Sequence, residues 1–367
     1  MNPPLTFTPL NAWANYDTKP LIIAGPCSAE SEEQLMQTCL GLKQLKVDMF
    51  RAGIWKPRTR PNSFEGYGST ALPWLKTVRD ELQVPFAVEV ATPQHIDEAL
   101  KYGVDALWLG ARTTVNPFNV QEIADALRGI DIPVMIKNPV NPDIALWIGA
   151  IERIYNAGIT KIAAIHRGFS TFQKTKYRNV PMWQIAIELK THFPAIPLIC
   201  DPSHICGQRD LLQEVSQKAL DLNYDGLIIE SHINPEVALS DAEQQLTPVA
   251  LGEMLDKLTI RLTRSNNAEF INHLEELRSK IDHLDRELLE ILAARMLLVE
   301  QVGEYKKENN VTIFQIDRWD EIFRSRPEWG KKMHLNKDFI AEIYKLIHVE
   351  SIRKQTEVMQ NNTTATS

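Results

Sequence analysis

Eight short apolar runs, rich in β-branched residues, recur between residues 21 and 232, each followed by a segment long enough for an amphipathic helix. They occupy residues 21–27, 49–55, 86–90, 106–111, 134–139, 162–168, 197–204 and 226–232. Such alternation is the pattern of a parallel sheet whose crossovers are helices. Eight strands within about 210 residues are more than a doubly wound sheet usually carries, so an α/β fold of the (β/α)8 TIM barrel kind is expected. Its last helix is expected over residues 242–262.

Beyond the barrel the composition turns to Thr, Ser and Asn, and then the apolar period becomes purely helical. Leu274, Leu277, Ile281, Leu284, Leu288, Ile291, Leu298 and Val302 follow a 3,4 spacing in which Arg295 takes one seam position. A helix over residues 269–308 spans roughly 60 Å at 1.5 Å per residue, too long for a domain of about 90 residues to cover alone. Its apolar seam therefore wants a partner. Shorter helices are expected near 316–326 and 336–357. The chain of 367 residues is thus divided into a barrel over 1–262, a linker over 263–268, an all-α three-helix domain over 269–358 and a disordered tail over 359–367.

The net charge of −7 gives no global attraction to polyanions, which argues against nucleic acid or an anionic membrane surface as a partner. Any anion must be held by a local cluster. Four scattered cysteines, Cys27, Cys39, Cys200 and Cys206, do not make a disulfide framework, and the first residues carry no basic, then apolar, leader. A reduced, cytoplasmic chain without a membrane span is expected.

In such a barrel the chemistry sits at the carboxyl ends of the strands. Two sets of polar residues close the runs. Cys27, His204, Glu230 and, in the loop after the eighth run, Asp241 offer a thiolate, an imidazole and two carboxylates, a mixed set suited to a divalent transition metal. A single strand-end Cys is as often a small buried hydrophobe, but four candidates on one rim favour the metal. Arg51, Lys56, Arg58, Arg112, Lys137 and Arg167 form a cationic set that would repel itself unless dianionic ligands neutralise it. Phosphorylated substrates explain their number. His166 and His232 are expected to be hydrogen-bonded neighbours of the site.

The segments Gly25-Pro26-Cys27-Ser28, Arg51 with Lys56-Pro57-Arg58-Thr59, Gly110-Ala111-Arg112, Asp201-Pro202-Ser203-His204 and Ala238-Leu239-Ser240-Asp241 resemble the type I beta 3-deoxy-D-arabino-heptulosonate 7-phosphate (DAHP) synthases. The resemblance implies a metal-dependent condensation of phosphoenolpyruvate with erythrose 4-phosphate. It implies Cys27, His204, Glu230 and Asp241 as ligands of Mn2+, or alternatively of Fe2+, Co2+ or Zn2+. It also implies Arg51, Lys56, Arg112, Lys137 and Arg167 around phosphoenolpyruvate, with Arg58 and Thr59 at the sugar phosphate. Lys56 is a candidate to move a proton and Glu89 to position water. The 3-deoxy-octulosonate 8-phosphate synthases are similar in fold but read Lys-Ala-Asn-Arg-Ser-Ser at the aldehyde loop, so Lys56-Pro57-Arg58-Thr59 favours the four-carbon sugar. A Schiff base at Lys137 is the mechanistic rival.

Residues 269–357 resemble the all-helical chorismate mutases at Arg278, Arg295, Lys306, Arg318, Ser351 and Gln355. Rearrangement of chorismate to prephenate needs no nucleophile. It needs a held dicarboxylate and stabilised charge on the ether oxygen. Lys306 lies eleven residues after Arg295 and returns to within about 20° of its face. Ser351 and Gln355 extend the row of Ile343 and Ile347. Arg278 is 17 residues before Arg295, roughly 25 Å along a straight helix, so the two share one pocket only if Arg278 comes from a second chain. The family's intertwined dimer implies the same arrangement, and hence a homodimer. Where relatives carry an acid this chain has Gln315, whose amide still accepts a hydrogen bond. A catalytically silent dimerisation or regulatory module is the alternative, and feedback by prephenate or chorismate through this module is a further expectation.

Overall fold

The structure, a computed structural model, describes residues 5–13, 20–45, 47–56, 64–172, 174–262 and 264–360. Contacts divide the chain into two compact units, Met1–Thr263 and Arg264–Ser367. In the first, β1 (Leu21–Gly25), β2 (Met49–Ala52), β3 (Phe86–Val90), β4 (Ala106–Leu109), β5 (Val134–Lys137), β6 (Ile162–His166), β7 (Leu198–Cys200) and β8 (Gly226–Glu230) pair in sequence order, all parallel. Pairing of Leu21 with Gly226 through Gly25 with Glu230 closes the barrel.

The strands alternate as their pleat requires. Ile22, Ala24, Phe50, Val88, Leu107, Ile136 and Ile229 face the surrounding helices. Leu21, Ile23, Met49, Ala87, Ala106, Trp108, Met135, Ala163, Ile165, Ile199 and Ile228 fill the lumen, with Leu10 in the same cluster. Continuing that inward parity to the strand ends delivers Arg51, Glu89, Lys137, Asp201 and Glu230, so the lumen is apolar below and charged above. Several crossover helices start at caps readable in the sequence: Ser31, Thr92, Asn116 and Asp143 each accept a hydrogen bond from a backbone N–H of the first turn.

The last helix of the barrel covers Pro248–Asp256 and not 242–262. Thr247 caps it and Pro248 takes its first turn, which sets the start. The preceding residues form a separate 3-10 turn, Ala242–Gln244, at the barrel mouth.

The second unit consists of three helices, Ala268–Glu308, Ile316–Lys332 and Lys337–Gln360. Asn267 caps the long one. The middle helix outruns the expected end at 326 because it continues through Pro327, which a helix interior normally excludes. Packing holds the turns beyond it: Arg326 stacks on Trp329 at 4.3 Å, and Gly330 lies so close to Ile340 that a Cβ there would come within 2.5 Å. The final helix ends at Gln360, and the rest of the expected tail, 361–367, lies outside the described residues. Among the described residues no helix is long and apolar enough to cross a membrane.

Candidate functional site

Glycine sets the geometry of the barrel mouth at two points. A Cβ on Gly25 would meet the Arg51 carbonyl oxygen at 2.0 Å, so only glycine lets β1 turn over β2 and present Cys27. At Gly110 a Cβ would meet Glu89 Oε1 at 2.0 Å. Trp108 lies fully buried at the centre, its indole N–H donating to Glu89 Oε2 at 2.9 Å. Its ring supports two cations, with the Arg51 guanidinium 5.1 Å and Lys137 Nζ 5.7 Å from the centroid. Lys137 Nζ is 2.8 Å from Asp201 Oδ2, and Arg51 Nη1 is 3.2 Å from Glu230 Oε1.

Cys27, Glu230 and Asp241 converge, with one ligand atom of each within 4.8 Å of the others. Cys27 Sγ lies 3.3 Å from Asp241 Oδ2 and accepts a hydrogen bond from Lys56 Nζ at 2.9 Å. His204, the fourth expected ligand, stands beside this group of three and not within it: Nδ1 is held at 3.0 Å by Asp201 Oδ1, and Nε2 faces Glu230 Oε1 at 3.8 Å. Burial, reinforced by Glu230, pushes the Cys27 thiol up to about 12. Burial opposes ionisation of Glu230 too, but His204 and Arg51 hold its carboxyl below the usual range.

A divalent cation fits this set. Among the described residues nothing donates a hydrogen bond to the buried Glu230 Oε1, although Arg51 lies beside it. The donors are sulfur, imidazole nitrogen and carboxylate oxygen, and the imidazole is oriented by a carboxylate, as in established metal sites.

The remaining barrel candidates divide. Arg167 is buried, donating to Asn179 Oδ1 at 2.8 Å, and burial lowers it to about 10, with Arg178 and Arg112 contributing. Arg112 stands exposed on the rim, near enough to act on Arg167. Arg58 and Thr59 lie outside the described residues. His166, expected as a hydrogen-bonded neighbour of the site, directly precedes Arg167, is bonded to Pro181 and Tyr224, and packs among Trp147, Phe169, Trp183 and Tyr224. His232 lies 3.6 Å from Glu30.

The helical unit gathers a second polar group. Arg295 Nη1 donates to Ser351 Oγ at 2.8 Å. Lys306 Nζ donates to the Ile313 carbonyl, and Gln355 packs against Gly303, where a Cβ would lie 3.2 Å from Gln355 Cγ. Burial lowers both Arg295 and Lys306, and the charges of Arg326 and Arg318 depress Arg295 further. Arg318 itself pairs with Glu321 at the surface. Gln315 lines a cavity of about 600 Å³ with Lys306, Val302 and Tyr305. Arg278 is exposed and paired with Glu275, on the same unbroken helix as Arg295 and therefore far from it.

Sequence reading missed Trp108, Arg178, Gln244 and His348. Trp108 had a signal, since it shares the inward parity of Glu89 and Lys137. His348 lies on the stripe of Ser351 and Gln355, and its Nε2 and Gln355 Oε1 are buried with no hydrogen-bond partner among the described residues.

Residues 11–264 match the DAHP synthetase I family, and residues 277–356 match chorismate mutase type II. The chain is 34% identical over 237 residues to a phospho-2-dehydro-3-deoxyheptonate aldolase of Thermotoga maritima, covering 65% of this chain and 68% of that protein. The crystal structure of a Thermotoga maritima protein of that name superposes with a TM-score of 0.60 at 31% identity, covering 70% of this chain and 73% of that one. A 2-dehydro-3-deoxyphosphooctonate aldolase of Vesicomyosocius okutanii is 28% identical over 257 residues, 65% of this chain and 88% of that protein. The helical part is 33% identical over 88 residues to a bifunctional chorismate mutase/prephenate dehydratase of Buchnera aphidicola, 24% of this chain and 23% of that protein. With its charged barrel mouth and its cationic helical cleft, the chain belongs to the DAHP synthetase I family and carries a chorismate mutase type II domain after the barrel, the two activities of a bifunctional enzyme of aromatic biosynthesis.

Proposed function

We propose that the barrel joins phosphoenolpyruvate to erythrose 4-phosphate at a divalent cation held by Cys27, His204, Glu230 and Asp241. The observation that carries this reading is Glu230 Oε1, a buried carboxylate oxygen that has no hydrogen bond among the described residues, lies 3.8 Å from His204 Nε2, and belongs to a carboxylate gathered with Cys27 and Asp241. When bound, the cation supplies Lewis acidity to the aldehyde oxygen. Mn2+ suits two carboxylates in the donor set, with Fe2+, Co2+ and Zn2+ as alternatives.

Arg51, Lys137 and Arg167, immobilised on Trp108, Asp201 and Asn179, hold the phosphate and carboxylate of phosphoenolpyruvate, and Arg112 closes over them. Arg58 and Thr59 take the sugar phosphate. Lys56, on Cys27 Sγ, is placed to move a proton, while Glu89, pinned by Trp108, orients the water that adds as phosphate leaves. The ammonium of Lys137 is engaged by Asp201, which favours binding over imine formation. Chelator should abolish condensation and Mn2+ restore it. Borohydride inactivation only in the presence of substrate, with chelator harmless, would overturn the reading.

In the helical domain Arg295, Lys306, Gln355, Ser351, Arg318 and Gln315 of one chain and Arg278 of a second hold chorismate. The long helix supports pairing with a second copy, because Ile281, Leu284 and Leu288 are each more than half exposed on a single chain. Prephenate or chorismate bound there lowers condensation. Prephenate added to the intact chain and to residues 1–265 tests this, and an equal response of the two removes feedback through the helical domain.

A further inference from the structure

The two carboxylates of the proposed ligand set, Glu230 and Asp241, are not free to turn, and the residues that hold them lie outside that set. Arg178 Nη1 donates to Asp241 Oδ1 at 2.9 Å and to Gln244 Oε1 at 2.8 Å. Gln244 Nε2 in turn donates to Glu230 Oε2 at 2.6 Å. One guanidinium and one amide thus occupy the outer oxygen of both carboxylates. The inner oxygens turn toward the ligand cluster: Asp241 Oδ2 accepts from Cys27 Sγ at 3.3 Å, and Glu230 Oε1, 3.2 Å from Arg51 Nη1, has no hydrogen bond among the described residues. The neighbouring Gln245 completes the frame, accepting from the Cys27 backbone N–H at 2.9 Å and donating to the Ser240 carbonyl at 2.9 Å.

The local backbone agrees. Asp241 has φ 51°, a left-handed conformation uncommon for a residue with a Cβ, which persists only where its surroundings over-determine it. Gln244 ends the 3-10 turn that follows and is buried. A buried amide whose oxygen and nitrogen are each matched to one partner has a single orientation. Two anions a few ångströms apart also need countercharge, which Arg178 supplies at the outer side, while Arg51 and Lys56 border the inner side beside Glu230 Oε1 and Cys27 Sγ.

We infer that Arg178 and Gln244 are positioning residues that aim the inner oxygens of Asp241 and Glu230 at a divalent cation and so set its affinity. This rests on the metal reading above. Groups of this kind typically change metal affinity by about 10 to 100-fold when removed. Because both act through one hydrogen-bonded frame, their losses should combine to less than the product of the two.

The test uses the full chain, stripped by chelator and titrated with Co2+, following the thiolate-to-cobalt absorption band of Cys27 and the dissociation constant by competition with a colorimetric chelator. Arg178→Ala and Gln244→Ala should each weaken Co2+ binding by about 10 to 100-fold, with partial recovery in Arg178→Lys. The Arg178 side chain is 46% exposed, so its variants keep the fold even if removal of the buried Gln244 does not. Lys176→Ala, on the same rim but paired with Glu214, should bind as the unmutated chain does. Variants that bind Co2+ within twofold of the unmutated chain, with the same absorption band, overturn this inference alone. No Co2+ binding by the unmutated chain overturns the metal reading and this inference with it.

Discussion

His204 Nδ1 lies 3.0 Å from Asp201 Oδ1 and 2.9 Å from Oδ2, and the same Oδ2 holds Lys137 Nζ at 2.8 Å. One buried anion therefore orients a candidate metal ligand and neutralises a candidate phosphoenolpyruvate ligand at once. Burial alone would raise Asp201, but His204 and Lys137 keep its carboxyl well below the ordinary range. Asp201→Asn turns an amide donor toward either the ammonium or the imidazole N–H and leaves Lys137 buried without its counterion, a change that costs about 3–5 kcal/mol where a buried pair is broken. The expected outcome is a lower Tm together with weaker binding of both Co2+ and phosphoenolpyruvate. Loss of only one of the two affinities would separate functions that the geometry joins.

His166 makes stability depend on pH. Its Nε2 meets the Pro181 carbonyl at 2.5 Å and its Nδ1 the Tyr224 hydroxyl at 2.8 Å, a pattern that the neutral ring satisfies. Burial lowers it to about 4. The unfolded chain binds this proton from about pH 6.5 downward and the folded chain does not, so the stabilisation is complete above 6.5 and lost as pH falls toward 4. The loss should approach about 3 kcal/mol, at about 1.4 kcal/mol per pH unit for one proton. Denaturant titrations from pH 7 to 4.5 should show a shallower pH slope in His166→Gln than in the unmutated chain. Equal slopes would exclude His166 as the source.

The long helix yields a quantitative test of the second copy. Arg278 and Arg295 stand 17 residues apart on one unbroken helix, so a shared pocket takes one from each chain. Chains carrying Arg278→Ala and chains carrying Arg295→Ala should each lose mutase turnover. After co-refolding in equal amounts, half of the dimers are mixed, and each mixed dimer has one intact and one doubly altered pocket, so activity should return to about one quarter of the unmutated value. No recovery, with mixed dimers demonstrated, would place Arg278 outside the pocket.

The barrel was legible because its strands are short, apolar and evenly spaced, and because polar residues at strand ends stand out against them. Cys27, Arg51, Lys137 and Glu230 were found that way. Trp108 was not, because an indole in an apolar run reads as core, and only the parity of β4 turns it toward the cations. Arg178 and Gln244 were invisible for another reason: they lie in irregular segments, where no period predicts which side chain turns inward. The middle helix runs past its expected end because packing around Trp329 and Gly330 continues it through Pro327. The apolar seam of the long helix was read correctly as a pattern, yet on one chain it faces solvent, because periodicity specifies a face and not what covers it.

That same limit hid His348. It precedes Ser351 by one turn, packs against Trp319 with ring centroids 4.1 Å apart, and leaves Nε2 buried with no hydrogen-bond partner among the described residues. Burial lowers its pKa, and the charges of Arg295 and Lys306 lower it further, so both cations act at this ring. An orphaned imidazole nitrogen acted on by two cations, on the same helix stripe as the orphaned Gln355 Oε1, is arranged to meet a polar group of chorismate. His348→Leu keeps the packing and removes the hydrogen bond, so kcat/KM for chorismate should fall by about 10-fold or more, the loss expected of a hydrogen bond to a charged group. His348→Gln should recover part of it, and condensation by the barrel should be unchanged in both. Full mutase activity in His348→Leu would leave the nitrogen without a ligand and remove His348 from the pocket.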